Sequence, residues 1–266
     1  MYCSKAVRFI YAVTAARRRT PSTSPASWSD ASAFPKQGKR SVGVARQWCG
    51  RLGKVDNCQV AVYMGYVSAE EHALVDTRLY LPKEWTKDRG RRAKAGVPKE
   101  VRFRTRHQLC LEMLESHGEK LPHRWIAGDD EMGRPYGFRR RLDRLGERYL
   151  LAVPSNTSIR DMESDEPPYG GSGRRPKRPW QRVDAWAASL EGQAWTTIDV
   201  RDGSKGPLTI EIVKRSVVGR NHRRQEGHPE VLVVVRYRDC DNGRVLKTDY
   251  YLSNASAETE LAEFAR

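Results

Sequence analysis

Paired cysteines and clustered histidines are what this sequence most clearly lacks. Its five cysteines (Cys3, Cys49, Cys58, Cys110 and Cys240) stand far apart and form no C-x-x-C pair. A sparse, odd-numbered set of this kind is typical of a reduced protein and argues against a disulfide scaffold or a zinc ribbon. The six histidines show no H-E-x-x-H or comparable spacing. The sequence therefore gives no sign of a histidine-ligated zinc hydrolase.

Long apolar runs are also missing. The longest purely aliphatic run, 231–235, falls far short of the about 20 residues that a membrane-spanning helix requires. Residues 1–16 resemble a signal peptide only faintly, because Arg8 interrupts their apolar part. The sequence therefore predicts a cytoplasmic protein with no membrane partner.

Positive charge, in contrast, is abundant. The 266 residues include 48 Lys and Arg against 33 Asp and Glu, which gives a formal net charge of +15. Such an excess indicates a polyanionic partner, most often nucleic acid, although a merely soluble basic protein is the alternative. The cations are concentrated in 83–106, 139–148 and 174–182. These stretches predict affinity for duplex DNA that does not depend on its sequence.

The most informative stretch is an apolar run that ends in a cluster of acids. Trp125, Ile126 and Ala127 lead to Gly128, and the acids are Asp129, Asp130 and Glu131. This pattern predicts a buried strand whose carboxyl end carries carboxylates, the edge at which open α/β sheets hold catalytic sites. Two unit charges about 4 Å apart repel by roughly 4 kcal/mol at an effective dielectric near 20, so acids held beside a packed sheet need a cation. The alternative is an ordinary polar turn with solvated acids.

Alternating and helical patterns predict the elements around this stretch. Residues 57–67 and 72–81 alternate as two strands of an antiparallel hairpin, the first buried on both faces at its centre. Thr105 and Gln108 stand at capping-box spacing ahead of a helix that Gly118 ends.

Further along the chain, a helical stripe and a series of strands are predicted. Phe138, Leu142 and Leu145 form the stripe of a helix that Gly146 closes. The predicted strands are 149–154, 195–200, 208–213, 231–237 and 247–252, with turns at Asp202-Gly203 and Asn242-Gly243. Residues 161–179, rich in Pro, Gly and Arg, form a predicted linker. A last helix is expected with Ser256 as its N-cap.

Seven blocks of the chain, in order, closely resemble a branch of bacterial insertion-sequence transposases of the DDE superfamily. The blocks are 34–38 (FPKQG), 41–50 (SVGVARQWCG), 53–60 (GKVDNCQV), 128–134 (GDDEMGR), 152–157 (AVPSNT), 201–207 (RDGSKGP) and 249–255 (DYYLSNA). The resemblance runs from Asp30 to the last residue.

The resemblance implies an RNase H-like nuclease whose acids bind divalent metal. The first metal-binding aspartate of the family falls on Asp30 and the second on Asp129. Both are implied catalytic residues and ligands of Mg²⁺ or Mn²⁺, which prefer carboxylate oxygens. The implied partner is double-stranded DNA, both transposon ends and target, with a homo-oligomer assembling on it. A nucleoid-associated location follows from that partner.

Two departures from the family pattern shape what we expect of activity. The residues before Asp30 are poor strand material because Pro25 lies among them, and the family glutamate has no counterpart in Glu258, Glu260 or Glu263. We therefore expect a fragment shortened at both ends and inactive alone. The alternatives are a non-catalytic basic DNA-binding remnant and a nuclease that uses Glu131 as a substitute ligand.

Together these observations predict an α/β protein. The expected fold is an RNase H-like mixed sheet flanked by helices, with a β-rich insertion before a truncated final helix. The expected segments are a disordered or atypical 1–29, a first part of the nuclease core at 30–154, a basic linker at 155–185, the β-rich insertion at 186–253 and the start of the last helix at 254–266.

Overall fold

The computed structural model describes residues 6–10, 33–67, 72–203, 206–239 and 242–265. The chain divides into two compact units, one ending at His123 and one beginning at Arg124. Within the described ranges, no helix is both long and apolar enough to cross a membrane.

The first unit is built around one long strand. Its elements are β1 (Ala6–Ile10), β2 (Ala33–Pro35), β3 (Ala45–Cys49), β4 (Lys54–Val67), β5 (His72–Leu79), α1 (Lys83–Lys87), α2 (Arg89–Lys94) and α3 (Arg106–His117). All four other strands pair antiparallel with β4.

The residue pattern of β4 explains its central place. Cys58, Val60, Val62 and Met64 are at most 2% exposed, and the alternate residue Tyr63 is also buried. Apolar residues on both faces suit a strand covered on two sides. The predictions of a strand buried on both faces and of a hairpin with β5 are confirmed, with Ala61 opposite Leu79 and Val67 opposite His72. The predicted turn of that hairpin, 68–71, lies outside the described residues.

Strand β1 lies within 1–29, the segment that was expected to be disordered or atypical. The backbone of β1 pairs with the end of β4, with Ala6 opposite Val67 and Ile10 opposite Tyr63. The strand was not expected because Arg8 interrupts its apolar residues. A charged residue argues against a signal peptide but is tolerated in a strand. Asp30 itself lies outside the described residues.

Helix α3 begins as predicted. The Thr105 hydroxyl accepts the Gln108 N–H at 3.2 Å, and the Gln108 side chain accepts the Thr105 N–H at 2.8 Å, so the capping box is complete. The predicted end at Gly118 is correct only in position. Gly118 keeps a right-handed conformation and opens one turn of 3-10 helix, 118–120.

The second unit holds a mixed sheet of eight strands. Its elements are β6 (Trp125–Gly128), α4 (Asp130–Gly133), α5 (Tyr136–Arg144), β7 (Tyr149–Ala152), β8 (Ser158–Asp161), β9 (Gln181–Arg182), α6 (Val183–Ala188), β10 (Thr196–Gly203), β11 (Gly206–Arg220), β12 (Glu226–Arg238), β13 (Val245–Ser253) and α7 (Leu261–Ala265). The strand order is β6-β7-β13-β12-β11-β8-β9, and β10 pairs with the first half of β11. Only β6 and β7 are parallel; the other neighbours are antiparallel. The predicted α/β class with a mixed sheet and flanking helices is confirmed.

The β11–β12 hairpin is much longer than the predicted strands 208–213 and 231–237. Its ladder continues to Arg220 opposite Glu226. The connecting turn contains Arg224 at φ +59° and is held by the Asn221 side chain, which accepts the Arg223 and Gln225 N–H groups. Sequence reasoning missed this turn because a glycine usually supplies positive φ. Gly243, at φ +67°, does so in the predicted turn before β13.

Residues 162–180, within the predicted linker, form no helix or strand. Asp161 nevertheless anchors their start, because its buried carboxylate accepts hydrogen bonds from Trp186 and Arg215. Strand β8, before this segment, pairs with β11, and β7 pairs with β13. The strands before and after residues 162–180 thus belong to one sheet. The predicted boundaries of the linker and of the β-rich insertion stay a prediction.

The last helix starts later than expected. Ser256 belongs to a turn, and α7 begins at Leu261. The turn is held by Lys214, whose ammonium donates to the carbonyl oxygens of Ala257 at 2.5 Å and Thr259 at 2.6 Å. Because Lys214 occupies these two carbonyl oxygens, residues 257–259 form a turn, and the helix begins after them.

Candidate active site

Asp129 stands at the point where β6 becomes α4. Trp125 and Ile126 of β6 are buried, so the strand is fixed in the sheet and its carboxyl end is fixed with it. Asp129 is the N-cap of α4, and its Oδ1 accepts the Met132 N–H at 3.1 Å. An aspartate at this position satisfies a backbone donor that would otherwise lack a partner. The sheet and the helix start therefore hold the carboxylate in one place.

Two glycines let the turn approach β7 closely. A Cβ on Gly133 would lie 1.9 Å from the Ala152 carbonyl oxygen, and one on Gly128 would lie 2.9 Å from the Met132 Cβ. Neither distance is possible for a real side chain, so glycine is required at both positions. Close packing thus explains why the GDDEMGR block has glycine at both 128 and 133, and Asp129 lies between these two positions.

The acids of this turn lie at or near the surface. Asp129 and Asp130 are both exposed. Asp130 lies 3.6 Å from the Arg134 guanidinium. Across the described part of the chain, no Lys, Arg or His forms an ion pair with Asp129.

The pKa of Asp129 is raised to about 6. Desolvation by surrounding protein is the main cause, and the charges of Glu131 and Asp130 add to it, while backbone N–H groups of Met132 and Glu131 oppose it. Since the residue is also exposed, one side of the carboxylate is open to water or a ligand. That a packed acidic cluster needs a cation stays a prediction for Asp129, which has no cationic partner among the described residues.

A buried ion pair lies behind the turn. Arg139 of α5 is 3% exposed, and its Nε donates to Glu230 at 2.7 Å. The same guanidinium donates to the carbonyl oxygens of Gly133 and, at 3.3 Å, Arg134. Arg139 therefore holds the end of the turn that Asp129 begins. Burial alone would lower the pKa of Arg139, but the charge of Glu230 outweighs it and raises that pKa.

Two further side chains complete this network. The Tyr149 hydroxyl donates to Glu230 at 2.6 Å and lies 3.2 Å from His228 Nε2. Burial and the neighbouring Glu230 raise the pKa of Tyr149, and burial lowers the pKa of His228. Both groups are consequently neutral near pH 7, and the only charges in the network are those of Arg139 and Glu230.

Comparison with known protein families identifies the family of the chain. The model of the DDE superfamily endonucleases matches residues 7–207, which is most of the chain. The chain belongs to this family. No curated protein matches the chain.

Membership confirms the resemblance at the level of the superfamily. The match includes most of β1 and both Asp30 and Asp129. Endonucleases of this superfamily act on DNA and generally use divalent metal ions. The bacterial insertion-sequence branch and the shortened ends stay predictions.

The residues of this chain fit a hard divalent cation in part. Asp129 is an exposed acid that no cation of the described residues neutralises, and Asp130 and Glu131 follow it. Among the residues with described positions, no three His, Cys, Asp or Glu side chains are grouped so as to hold a metal ion. The predicted pairing of Asp30 with Asp129 lies outside the described residues and stays a prediction.

Some of the cations that were expected to bind DNA have structural roles. Arg139 is buried and saturated with partners, so the expectation is wrong for this residue. Arg91 stacks on Trp85, with its guanidinium carbon 3.8 Å from the ring centre, and Arg92 donates to the carbonyl oxygens of Pro98 and Val101. These arginines stabilise the first unit.

Other cations in the expected stretches differ in whether an acid neutralises them. Arg175 pairs with Glu166 at 2.9 Å and Arg182 with Asp184 at 2.5 Å. In contrast, Lys87, Arg89 and Lys94 are exposed, and the contacts of the described residues give them no acidic partner. These three are better placed than the paired arginines to meet DNA.

Sequence reasoning missed the Arg139–Glu230 pair. Its partners are separated by 91 positions, and nothing local links them. The local sequence around each partner nevertheless indicated that the residue is buried. Arg139 lies one turn before Leu142, hence on the apolar face of its helix, and Glu230 directly precedes the aliphatic run 231–235.

Proposed function

We propose that this DDE endonuclease is a transposase that cleaves insertion-sequence DNA and transfers its strands. The observation that carries the proposal is Asp129, a carboxylate fixed at the carboxyl end of β6, exposed, and without a cationic partner among the described residues. When ionised, such an acid lowers the stability of the fold, because its raised pKa means that the folded state favours the protonated form. A metal ion, Mg²⁺ or Mn²⁺, would supply the missing positive charge.

In this proposal Asp129 and Asp30 are the metal-binding catalytic residues. The bound metal would activate the attacking hydroxyl and neutralise charge on the leaving oxygen. Asp129 is prepared for its role by the Met132 N–H, which fixes one carboxylate oxygen. Arg139 supports the role by holding the carbonyl oxygen of Gly133. The protein thus positions an acid before any ligand arrives.

The substrate in this proposal is duplex DNA, both transposon ends and target. The net charge of +15 and the exposed, unneutralised Lys87, Arg89 and Lys94 support binding to the phosphate backbone. Copies of the chain are proposed to assemble on the DNA, which would associate them with the nucleoid.

We further propose that the chain binds DNA through its cations and metal through its two aspartates without completing cleavage. Two metal ions about 4 Å apart share several carboxylate ligands in nucleases, and two acids cannot position both. Glu131 as a substitute third ligand is the competing possibility. The second candidate function is that of a non-catalytic DNA-binding protein. The exposed Lys87, Arg89 and Lys94 favour it equally, and in it Asp129 binds no catalytic metal.

The test combines binding and cleavage on one labelled duplex that carries an insertion-sequence end. The purified chain is mixed with the duplex in Mg²⁺ or Mn²⁺, and the same assay is run with Asp129→Asn and with the exposed control Asp165→Asn. We expect DNA binding by all three proteins, tighter binding in metal for the chain and the control than for Asp129→Asn, and no cleavage. Cleavage that Asp129→Asn abolishes would show a complete site and overturn the inactivity. Identical metal dependence in all three would favour the non-catalytic function.

A further inference from the structure

A groove of about 330 Å³ opens in the second unit beyond the carboxyl end of β7. Its polar lining comes from the residue after α4, helix α5, the loop after β7, the start of β8 and the end of β11: Arg134, Arg139, Asn156, Thr157, Ser158 and Arg220. All three ionisable residues of the lining are arginines, and none is an acid. The groove therefore offers positive charge and hydrogen-bond donors to an anion.

The three arginines differ in how free they are. Arg139 has its fork occupied by Glu230 and the carbonyl oxygen of Gly133, so Glu230 neutralises its charge and it offers a ligand no donor. Arg134 is exposed, with Asp130 at 3.6 Å. Arg220 is exposed, lies 4.6 Å from the ring centre of Trp180, and pairs with no acid among the described residues. Arg220 is thus the most available cation of the groove.

Backbone geometry turns Arg220 toward this place. The β11–β12 ladder shifts register between Val218 and Arg220, which marks a bulge, and a bulge commonly redirects a side chain. Strand β8 pairs with the same part of β11, with Ile159 opposite Gly219. Ser158 and Arg220 are consequently brought to neighbouring positions at one end of the two strands.

The other side of the groove supplies neutral donors. The loop after β7 turns back on itself, because the Thr157 N–H donates to the Pro154 carbonyl oxygen at 2.9 Å. The side chains of Asn156, Thr157 and Ser158 form no hydrogen bond within the described residues. One amide and two hydroxyl groups are therefore available to a ligand, which suits the several acceptor oxygens of a phosphodiester.

The groove also lies beside Asp129. Strands β6 and β7 are parallel neighbours with Gly128 opposite Leu151, and adjacent strands are about 4.8 Å apart. Asp129 and the residues after Ala152 thus leave the sheet at the same edge. Arg134, at the other end of α4 from Asp129, lines the groove directly.

We propose that this groove is a phosphodiester subsite that holds the DNA strand next to the cleavage position. Arg220 binds the phosphate oxygens, Arg134 contributes the second charge, and Thr157 and Ser158 donate to the same group. The subsite rests on the proposed function, because it fixes the backbone of the strand whose neighbouring phosphate reaches Asp129. It needs no metal of its own.

The test uses isotope-labelled protein in metal-free buffer, with the dinucleotide d(TpT), a single phosphodiester, as the probe. We expect backbone amide shifts at 156–158 and 219–220. Arg220→Gln should weaken d(TpT) binding by about tenfold, the loss of one charge-assisted hydrogen bond, whereas Arg220→Lys retains most of it. Arg174→Gln, which removes an exposed arginine outside the groove, is the matched control.

Several outcomes would overturn the subsite. They are shifts confined to other residues, no shift at all, an Arg220→Gln variant that binds like the control, or inorganic phosphate that binds as tightly as d(TpT). Failure of the proposed function is distinguishable on the same sample. Mn²⁺ that leaves the Asp129 region unaffected would contradict the metal role, while d(TpT) shifts at the groove would still support the subsite.

Discussion

Two carboxylates of the second unit, Asp129 and Glu230, are treated in opposite ways by the fold. Glu230 has a fully buried side chain and accepts hydrogen bonds from Arg139 and Tyr149. Asp129 is exposed, and its identified hydrogen-bond donors are backbone N–H groups. The buried acid is saturated by the protein, and the exposed acid is held in place without a counter-charge.

In the proposed function, the difference separates the structural role of Glu230 from the functional role of Asp129. A buried ion pair is retained because either partner alone would leave an uncompensated charge in the interior. The exposed Asp129 caps α4 but has no cationic partner among the described residues, and its pKa is raised. Arg139 connects the two, because it pairs with Glu230 and holds the carbonyl oxygen of Gly133 in the turn of Asp129. The network supports the site without belonging to its chemistry.

The largest effect is expected from breaking the buried pair. Glu230→Gln should lower the free energy of unfolding by about 3–5 kcal/mol, since it leaves the Arg139 charge buried without compensation. Denaturant unfolding measures the change. The control is Glu226→Gln, a half-exposed carboxylate that pairs with Lys177 at 2.7 Å and with Arg160, for which a smaller loss of about 1 kcal/mol is expected.

A double variant checks that the cost comes from the unpaired charge. Arg139→Met combined with Glu230→Leu removes both charges and should recover much of the stability that Glu230→Gln loses. A Glu230→Gln protein as stable as the Glu226→Gln control would contradict the structural role assigned to the pair.

A smaller effect is expected from the close contact of the turn with β7. Gly133→Ala forces a methyl group onto the Ala152 carbonyl oxygen and should destabilise the protein by about 1–3 kcal/mol or more through overpacking. Gly137→Ala is the matched control, because its Cβ would meet nothing within 4 Å. In helix α5 this control should stabilise by about 0.5–1 kcal/mol. Equal effects in the two variants would exclude the close approach.

The ionised Asp129 should itself reduce stability. Its pKa of about 6 lies above the ordinary 3.8, so the folded state binds the proton more tightly than the unfolded state. The favourable contribution is complete below the ordinary value and is lost as pH rises through about 6. Asp129→Asn, which keeps the helix cap, should therefore raise the thermal midpoint at about pH 8 and leave it nearly unchanged at about pH 4. Asp165→Asn is the control, and a midpoint that Asp129→Asn lowers at the higher pH would contradict the raised pKa.

The contrast between paired and unpaired charge extends to DNA binding, where the smallest effects are expected. Replacing Lys87, Arg89 and Lys94 by Gln should flatten the logarithmic dependence of affinity on salt by about 0.9 for each phosphate that the protein no longer neutralises. Replacing the acid-paired Arg175 and Arg182 should change it less per residue. Fluorescence anisotropy with a labelled duplex measures both slopes, and the reverse order would show that pairing does not decide which cations meet DNA.

Sequence patterns predicted those parts of the fold that depend on neighbouring residues. Alternation identified the buried β4, the capping box identified α3, and the apolar run before Asp129 identified β6. Strand β1 was missed because five residues around Arg8 carry too little pattern, and its pairing with β4 is long-range. Local patterns are sufficient where the element is long or capped.

The candidate site was predictable in its acid and not in its surroundings. Asp129 follows an apolar run and could be recognised from sequence alone. The Arg139–Glu230 pair and the groove at Arg220 depend on contacts between distant strands, which only the sheet topology brings together. Asp30 was identified by family resemblance, and its place relative to Asp129 stays a prediction.

Binding of a divalent metal ion by Asp129 is best tested through the Mn²⁺-induced broadening of backbone amide signals. The paramagnetic ion reveals weak binding and locates it without any need for cleavage. We predict selective broadening of residues 128–134 in the unmodified chain, its loss in Asp129→Asn with the spectrum otherwise preserved, and no such loss in Asp165→Asn. Equal broadening of 128–134 in Asp129→Asn, or none in the unmodified chain, would contradict metal binding by Asp129.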